Sequence, residues 1–193
     1  MRVGILDCAI GGNIYSIKKA IDKIGYETQI VKSTSGVDKL IIPGVGSYPE
    51  GADAIIPFKD ELQEFVTTNM IMGICLGMQL LCQKGFEFYP HEGLGLVDGE
   101  CVKINSDKPL PHLGWNNVEL IRDSKLLKGL ENEKFYFMHS YEVVNYTGCT
   151  ALTTYEKHKF VSIIENGNIF GVQFHPEKSG EAGLKLFKNF LSL

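Results

Sequence analysis

The stretch from Gly73 to Gln79 constrains the fold of this chain more than any other. The short apolar run Met70–Ile74 carries no charge and is typical of a strand, and residues 77–83 have the spacing of a helix. Cys75 stands at the junction with glycines two positions before and after it, which is the form of a nucleophile elbow. Such a turn needs small neighbours, because the nucleophile adopts a strained backbone conformation in which larger side chains beside it would clash.

Two interpretations of Cys75 are open at this point. A lone cysteine in an apolar run is usually a small core residue. As a nucleophile, it would lie at the positive end of a helix, where free backbone N–H groups favour thiolate over thiol. The N–H of Leu76 would then be placed to bind an oxyanion formed by attack on a carbonyl. The choice between the two depends on a second motif further along the chain.

That second motif is His175-Pro176-Glu177, which follows an apolar run. Proline keeps the histidine out of helical geometry, and two residues separated by one on an extended segment point roughly the same way. The Glu177 carboxylate could therefore fix the imidazole tautomer, while His175 takes a proton from Cys75 and delivers it to a leaving amine. A lone His-Pro-Glu is more often structural. Together with the elbow it predicts a Cys–His–Glu triad and acyl transfer at an amide through a thioester, with ammonia or an amine leaving.

A glycine-rich loop, residues 43–46, follows the third predicted strand. Most such tetrads are plain turns. The functional alternative is a second oxyanion N–H, because open α/β sheets place ligands at the carboxyl ends of neighbouring strands.

Alternating strands and helices predict an α/β fold with a parallel sheet in the first part of the chain. We predict strands at 2–7, 28–31, 40–42 and 70–74, and helices at 14–24, 60–68 and 77–83. Gly11-Gly12 at the first strand–helix turn is not a full dinucleotide-binding motif. From residue 93 onwards we predict strands at 95–104, 115–120, 135–144, 160–165 and 168–174, a short helix at 124–130 and a closing helix at 180–193. Asn166-Gly167 predicts a hairpin.

Composition and charge exclude several classes of protein. The 193 residues carry a formal net charge of −4, and basic residues form no cluster that suggests nucleic-acid binding. The five cysteines are odd in number and include no C-x-x-C pair, which argues against a disulfide framework or a zinc site. We expect reduced thiols, a cytoplasmic location, and neither a signal peptide nor a membrane span.

The motifs at 73–79 and 173–179 resemble those of the class I, triad-type glutamine amidotransferases. Within that family, residues 43–46, 114–116 and 137–141 resemble the glutaminase subunit of imidazole glycerol phosphate synthase. The resemblance covers essentially the whole chain. It implies one domain over residues 1–193, with a mostly parallel, flavodoxin-like open sheet flanked by helices and a smaller antiparallel β section in the second half.

The resemblance also implies the site. Glutamine would be hydrolysed to glutamate at Cys75, with His175 and Glu177 completing the triad. Leu76, with Val45 or Gly46, would supply the oxyanion N–H groups. The positions that match the glutamine-binding residues are Gly44, Gln79, Ser140 and Tyr141. No metal and no cofactor are expected.

A partner follows from the same resemblance. Ammonia would pass to a (β/α)₈-barrel cyclase subunit in a heterodimer. The cyclase would convert a ribulosyl-type aminoimidazole carboxamide nucleotide to imidazole glycerol phosphate and aminoimidazole carboxamide ribonucleotide, in histidine biosynthesis. Positions that match the interface are Trp115, Asn116, Tyr136 and Lys178, although Trp115 and Tyr136 are also compatible with a core role and Lys178 with a solvated charge. We further expect the 43–46 loop to be misaligned when the chain is free and to turn an N–H inward when the partner holds its substrate.

Three departures from the family pattern leave alternatives open. Cys8-Ala9 replaces an aromatic–glycine pair, residues 83–86 replace an acidic run, and Glu142 replaces an aromatic residue. Related subunits supply ammonia for amidation of a sugar nucleotide in surface glycan synthesis, which is the alternative acceptor. Outside this class, the chain could be a silent regulatory subunit, or a thiol hydrolase that acts on γ-glutamyl peptides. The triad argues against the first, and Gln79 with residues 139–141 argues against the second.

Overall fold

A computed structural model describes residues 1–8, 10, 13–146 and 148–193. The Gly11-Gly12 turn lies outside the described residues. The strands are β1 (Val3–Leu6), β2 (Thr28–Val31), β3 (Lys39–Ile42), β4 (Met70–Ile74), β5 (Lys84–Gly85), β6 (His91–Glu92), β7 (Glu100–Lys103), β8 (His112–Asn117), β9 (Glu119–Leu120), β10 (Lys134–His139), β11 (Tyr141–Val144), β12 (Cys149–Tyr155), β13 (His158–Asn166) and β14 (Ile169–Val172). The helices are α1 (Ile14–Lys23), α2 (Tyr48–Ile55), α3 (Lys59–Phe65), α4 (Leu76–Leu80) and α5 (Gly180–Leu191), with 3₁₀ turns at Ile56–Phe58 and Pro176–Lys178.

The main sheet has the strand order β2-β1-β3-β4-β14-β13-β12-β9. The first five strands in this order, β2, β1, β3, β4 and β14, run parallel. The remaining three, β13, β12 and β9, continue the sheet with antiparallel pairings. Two smaller sheets, β10-β8 and β11-β7-β5-β6, lie beside it. The predicted α/β class, with a mostly parallel sheet and a smaller antiparallel section, is therefore confirmed.

Helices cover both faces of the parallel strands. Along β3, Ile41 belongs to the core shared with α1 and α5, whereas Leu40 and Ile42 belong to the core shared with α2, α3 and α4. Successive side chains of a strand point to opposite faces, so a strand buried on both sides needs an unbroken apolar run. Because β3, β4 and β14 run parallel, their carboxyl ends meet at one edge of the sheet, where the site lies.

The predicted hairpin is confirmed. Asn166 pairs with Ile169, so the loop between β13 and β14 is Gly167-Asn168. Gly167 has a φ of +60°, a left-handed conformation that a residue without Cβ adopts at no steric cost.

Some predictions of secondary structure were wrong or incomplete: residues 115–120 contain parts of two strands of different sheets, and β12 was not predicted. Residues 135–144 form two strands of different sheets, because the chain leaves β10 at His139 and enters β11 at Tyr141. Residues 124–130 form turns rather than a helix. The Glu165 carboxylate accepts from the Lys125 and Leu126 N–H groups as it would at the start of a helix, but Gly129 has a φ of +73°, which stops the helix from continuing. Helix α2 was not predicted, although Ser47 caps it by accepting from the Glu50 N–H at 3.5 Å.

Candidate active site

Cys75 occupies a sharp turn between β4 and α4. Its backbone has φ of +55° and ψ of −111°, a region that residues other than glycine rarely adopt. The turn brings backbones together, because a Cβ on Gly73 would lie 2.5 Å from the Gly77 carbonyl oxygen, and one on Gly77 would lie 2.1 Å from that of Ile42. Both glycines are therefore required by close approach, as the elbow prediction supposed.

His175 follows β14 and is held by its neighbours on both sides. Its backbone N–H donates to the Tyr136 carbonyl at 2.8 Å, and its Nδ1 donates to Glu177 Oε1 at 2.9 Å. Both side chains of this pair are 1% exposed. The 3₁₀ turn Pro176–Lys178 brings the carboxylate back onto the ring, so the hydrogen bond to Nδ1 leaves Nε2 as the nitrogen available to a reacting group.

The His175 ring interacts with Cys75 as well as with Glu177. Burial opposes protonation of the ring, but hydrogen bonds and charges from Cys75 and Glu177 outweigh it and raise the pKa of His175 to about 10. Nε2 makes no hydrogen bond of regular geometry to any residue that the structure describes. The ring and the sulfur are thus close neighbours without a fully formed bond, and such catalytic contacts often tighten only when substrate is bound.

A buried pair of amide side chains supports the sulfur. Gln173 Nε2 lies 3.6 Å from Cys75 Sγ, and Gln173 Oε1 accepts from Gln79 Nε2 at 3.0 Å. Gln79 Nε2 also donates to the Tyr141 carbonyl at 3.0 Å. The thiol itself lies 3.8 Å from the Met138 carbonyl oxygen. Both hydrogens of the Gln79 amide are thus engaged within the protein, which leaves its carbonyl oxygen for a ligand.

A pocket of about 60 Å³ opens at Cys75. It gathers most of the residues predicted to form an oxyanion site or to hold glutamine: Val45, Gly46, Leu76, Gln79, Ser140 and Tyr141. Gly44 is not among the residues that line the pocket, and a Cβ there would come within 2.7 Å of the Gly77 nitrogen. Gly46 has a φ of +129°, so the loop depends on glycine for its backbone path.

Glu87 is a pocket residue that the sequence did not reveal. Its carboxylate lines the pocket and accepts from the Tyr48 N–H at 2.6 Å. Burial, followed by the nearby charge of Glu87, raises the pKa of Tyr141, whose hydroxyl hydrogen-bonds to the Glu87 carboxylate. Glu87 stands in a loop between exposed Phe86 and Phe88, and no pattern in the sequence distinguishes it from a surface glutamate.

Three of the four predicted interface residues lie together. The rings of Trp115 and Tyr136 are 6.0 Å apart, and Lys178 Nζ lies 5.9 Å from the centre of the Tyr136 ring. Leu113 lies on the same side of β8 as Trp115, and these two are 60% and 55% exposed. We call these four residues the β8–β10 face. Asn116 points to the other side of β8, where its amide bonds within the protein.

Two kinds of feature are absent from the part of the chain that the structure describes. No group of three or more His, Cys, Asp or Glu side chains there could hold a metal ion. None of the helices in the same described residues is both long enough and apolar enough to span a bilayer.

Comparison with known proteins identifies the family. Residues 5–193 match the family Glutamine amidotransferase class-I. The chain is 38% identical to the imidazole glycerol phosphate synthase subunit HisH of Methanocaldococcus jannaschii, with 99% of each chain covered. It is 42% identical to the HisH subunit of Pyrococcus furiosus, with 100% of this chain and 99% of that protein covered.

Solved structures show the same fold at lower identity. The structure of PurLQS from Thermotoga maritima matches with a TM-score of 0.78 and 21% identity, covering 99% of this chain and 97% of that chain. A glutamine amidotransferase from Thermotoga maritima matches with a TM-score of 0.67 and 15% identity, covering 100% of this chain and 83% of that chain. These two likenesses concern the fold, whereas the full-length sequence matches place the chain more narrowly: it belongs to the class I glutamine amidotransferases and, within them, to the HisH subunits of imidazole glycerol phosphate synthase.

Proposed function

We propose that this chain hydrolyses glutamine to glutamate at Cys75 and passes the ammonia to a cyclase subunit in histidine biosynthesis. The observation that carries the proposal is the elbow itself, with Cys75 at positive φ beside a histidine whose Nδ1 is bonded to a buried carboxylate. Relatives named HisH that match along the whole chain support the pathway. The three sheets pack around shared cores, which supports our further proposal that residues 1–193 act as one domain.

The proposed chemistry proceeds through a thioester. The sulfur of Cys75 attacks the side-chain carbonyl carbon of glutamine after its proton has moved to His175 Nε2. The oxyanion accepts from the Leu76 N–H and from an N–H of Val45 or Gly46. His175 then gives its proton to the departing nitrogen, and ammonia leaves. Water, deprotonated by His175, attacks the thioester to release glutamate and restore the thiol, so one glutamine and one water give one glutamate and one ammonia.

Residues around the pocket suggest how the amino-acid end of glutamine is held. The Glu87 carboxylate suits the α-ammonium group, because an ionised acceptor makes a strong charge-assisted hydrogen bond. Backbone and side-chain groups of Ser140 and Tyr141 border the same pocket and suit the α-carboxylate. Gln79 contributes its free carbonyl oxygen.

Control by the partner would act through the loop at residues 43–46. We propose that this loop changes its peptide orientation when the cyclase holds its nucleotide and thereby supplies the second oxyanion N–H. One such donor contributes roughly 10²–10³ in rate, so its orientation could gate turnover. The partner would be a (β/α)₈-barrel subunit that docks on the β8–β10 face, and the resulting heterodimer would carry ammonia between the two sites.

Glutamate production by the purified chain tests the proposal. It is measured with the cyclase and its ribulosyl nucleotide added, and Cys75→Ala serves as the control. A large rise over the chain alone, lost in the variant, is the expected result. Slow Cys75-dependent turnover with no rise would favour the sugar-nucleotide acceptor, which the HisH relatives do not favour. Absence of Cys75-dependent turnover in folded protein, with γ-glutamyl peptides also inert, would favour a silent subunit.

A further inference from the structure

A buried chain of hydrogen bonds joins Asn116 on β8 to Tyr141 on β11 through two histidines. Asn116 Nδ2 lies 3.2 Å from His112 Nε2, and His112 Nδ1 lies 3.1 Å from His139 Nε2. His139 Nδ1 lies 2.8 Å from the Tyr141 carbonyl oxygen. The two histidines face each other because His112 and His139 are paired residues of the antiparallel β8–β10 ladder.

The direction of every bond in this chain follows from its ends. A carbonyl oxygen only accepts, so His139 Nδ1 carries a hydrogen, and in a neutral ring its Nε2 must then accept from His112 Nδ1. His112 Nε2 in turn must accept from Asn116. The Asn116 end of the hydrogen-bond chain gives the same directions independently. Asn116 Nδ2 also donates to the Thr154 carbonyl at 2.9 Å and is therefore the amide nitrogen.

Both rings are held uncharged. His112 and His139 are 3% and 5% exposed. They pack among aromatic rings: His112 lies 4.9 Å from Phe137 and His139 lies 4.7 Å from Phe160, measured between ring centres. Burial lowers the pKa of His112 to about 4 and the pKa of His139 to about 3. At neutral pH both rings in the hydrogen-bond chain are therefore neutral and have fixed tautomers, as the direction of the hydrogen bonds requires.

The chain ends at the glutamine pocket. His139 and Tyr141 both line it, and the Tyr141 carbonyl accepts from His139 Nδ1 and from Gln79 Nε2 together. If His139 moved its hydrogen to Nε2, Nδ1 would become an acceptor and would repel the carbonyl instead of bonding to it. The donation from His112 prevents this, because it occupies the Nε2 lone pair.

We propose that His112 is a positioning residue for glutamine binding: by donating to His139 Nε2 it holds that ring where its Nδ1 bonds the Tyr141 carbonyl at the pocket wall. His112 does not itself line the pocket, and it acts only through His139. The proposal rests on the proposed function, because it assigns His112 to the binding of glutamine rather than to stability alone.

The tautomers can be measured without turnover. Histidine ring nitrogens that carry a hydrogen and those that do not have well-separated ¹⁵N chemical shifts, so the ¹⁵N-labelled chain at pH 7 reports the state of each ring. We expect both His112 and His139 to carry their hydrogen on Nδ1. A His139 protonated on Nε2 in the wild-type chain would overturn the proposal, whether or not the protein hydrolyses glutamine.

Two substitutions separate positioning from packing. His112→Asn places an amide nitrogen near the former Nδ1 and keeps the donation to His139. His112→Phe keeps an aromatic ring and removes the donation. In complex with the cyclase and its nucleotide, we expect His112→Phe to raise the KM for glutamine about fivefold to tenfold, as for one lost hydrogen bond, with kcat changed by less than about twofold. His112→Asn should restore most of the KM.

Two further readouts complete the test. In His112→Phe the ¹⁵N chemical shift of His139 Nε2 should move to that of a nitrogen that accepts no hydrogen bond, whereas His112→Asn should keep the wild-type shift. Alkylation of Cys75 by iodoacetamide should proceed at the same rate in both variants. An unchanged KM and an unchanged Nε2 shift of His139 in folded His112→Phe would refute the positioning role. Should His112→Phe not fold, His112→Asn decides: it must keep the wild-type shift of His139 Nε2, and loss of that shift would count against the proposal. A wild-type complex that makes no glutamate would defeat the proposed function but would leave the tautomer result standing.

Discussion

Gln79 on α4 donates a 3.0 Å hydrogen bond to Gln173, the residue that directly follows β14. Gln173 in turn directs its own amide nitrogen at the sulfur of Cys75, 3.6 Å away. The two amides join the segment that carries the cysteine to the segment that carries His175. Both amides are buried, so neither can form a replacement hydrogen bond with water if its partner is removed. This pair therefore helps to hold Cys75 and His175, the two side chains that we propose to react, in their relative positions.

Removing the Gln173 amide should destabilise the fold and slow the reaction. In Gln173→Leu one buried N–H of Gln79 loses its acceptor, which costs about 1–3 kcal/mol of unfolding free energy. Gln63→Leu is the matched control, because Gln63 is exposed and donates only a 3.3 Å bond to the Leu94 carbonyl; it should change stability by less than about 0.5 kcal/mol. Urea denaturation measures both, and equal losses would contradict the assignment.

Gly77→Ala should be among the most damaging single substitutions in the chain. Its Cβ would lie 2.1 Å from the Ile42 carbonyl oxygen, and a backbone atom of a central strand cannot move aside. We expect a loss of more than about 4 kcal/mol, or failure to fold. Gly51→Ala in α2 is the control, since its Cβ would meet only the ends of the Leu76 and Leu80 side chains. A gain in helix propensity of about 1 kcal/mol offsets that contact, so Gly51→Ala should be nearly neutral in a thermal melt.

The strained backbone conformation of Cys75 predicts that this residue lowers the stability of the folded chain. At φ of +55° a side chain stores about 1–3 kcal/mol of strain, and the extra freedom of glycine in the unfolded chain costs about 0.4–1 kcal/mol. Cys75→Gly should therefore be more stable than Cys75→Ala by about 1 kcal/mol, with both inactive. At Cys101, in the regular strand β7, the order should reverse by about 0.5–1 kcal/mol. The same order at both positions would show that Cys75 is not strained.

Short-range patterns predicted those parts of the fold that depend on neighbouring residues. The strand Met70–Ile74 was predicted with the bounds that the structure has, because an apolar run ending at a glycine-flanked turn has few alternatives. Helix α2 was missed although Ser47 and Glu50 have the spacing of a capping box and Pro49 suits the first turn of a helix. Gly51 lowers its helix propensity, and its packing on α4 forms only in three dimensions.

For the site as well, the residues in short local motifs were predicted and those that depend on distant contacts were not. Cys75, His175 and Glu177 belong to short sequence motifs that predict the local backbone geometry, and the structure brings the three side chains together. Glu87 and His112 have no such motif. Each acquires its place from pairing with a distant segment: Glu87 through the Tyr48 N–H and His112 through His139. The register between β8 and β10 decides the contact of His112, and the packing of a loop on the start of α2 decides that of Glu87. A single sequence contains neither in readable form.

The pKa of His175 should depend on Cys75. Burial opposes protonation of the ring, but Cys75 and Glu177 together raise the pKa from its ordinary value of 6.5 to about 10. Because the folded-state pKa is the higher one, this group contributes stability below pH 6.5 and loses that contribution as the pH rises towards 10. In Cys75→Ala the favourable contacts of the sulfur disappear, so the pKa should fall and stability should depend less on pH across this window. An NMR titration of the His175 ring measures the shift directly. Identical titration curves in the two proteins would mean that the sulfur does not interact with the ring.

The β8–β10 face should supply the main contact with the cyclase. Leu113 and Trp115 expose large apolar side chains, and Trp115 is held by the Tyr136 ring. A well-placed tryptophan at an interface contributes about 2 kcal/mol or more, so Trp115→Ala should weaken binding by more than about tenfold while leaving the melting temperature unchanged. Ile121→Ala is the matched control, because Ile121 is also 55% exposed and follows β9 at the far edge of the main sheet. Titration calorimetry against the cyclase gives both affinities. Since an exposed apolar side chain outside the interface contributes nothing to association, an equal loss for the two variants would move the interface away from this face.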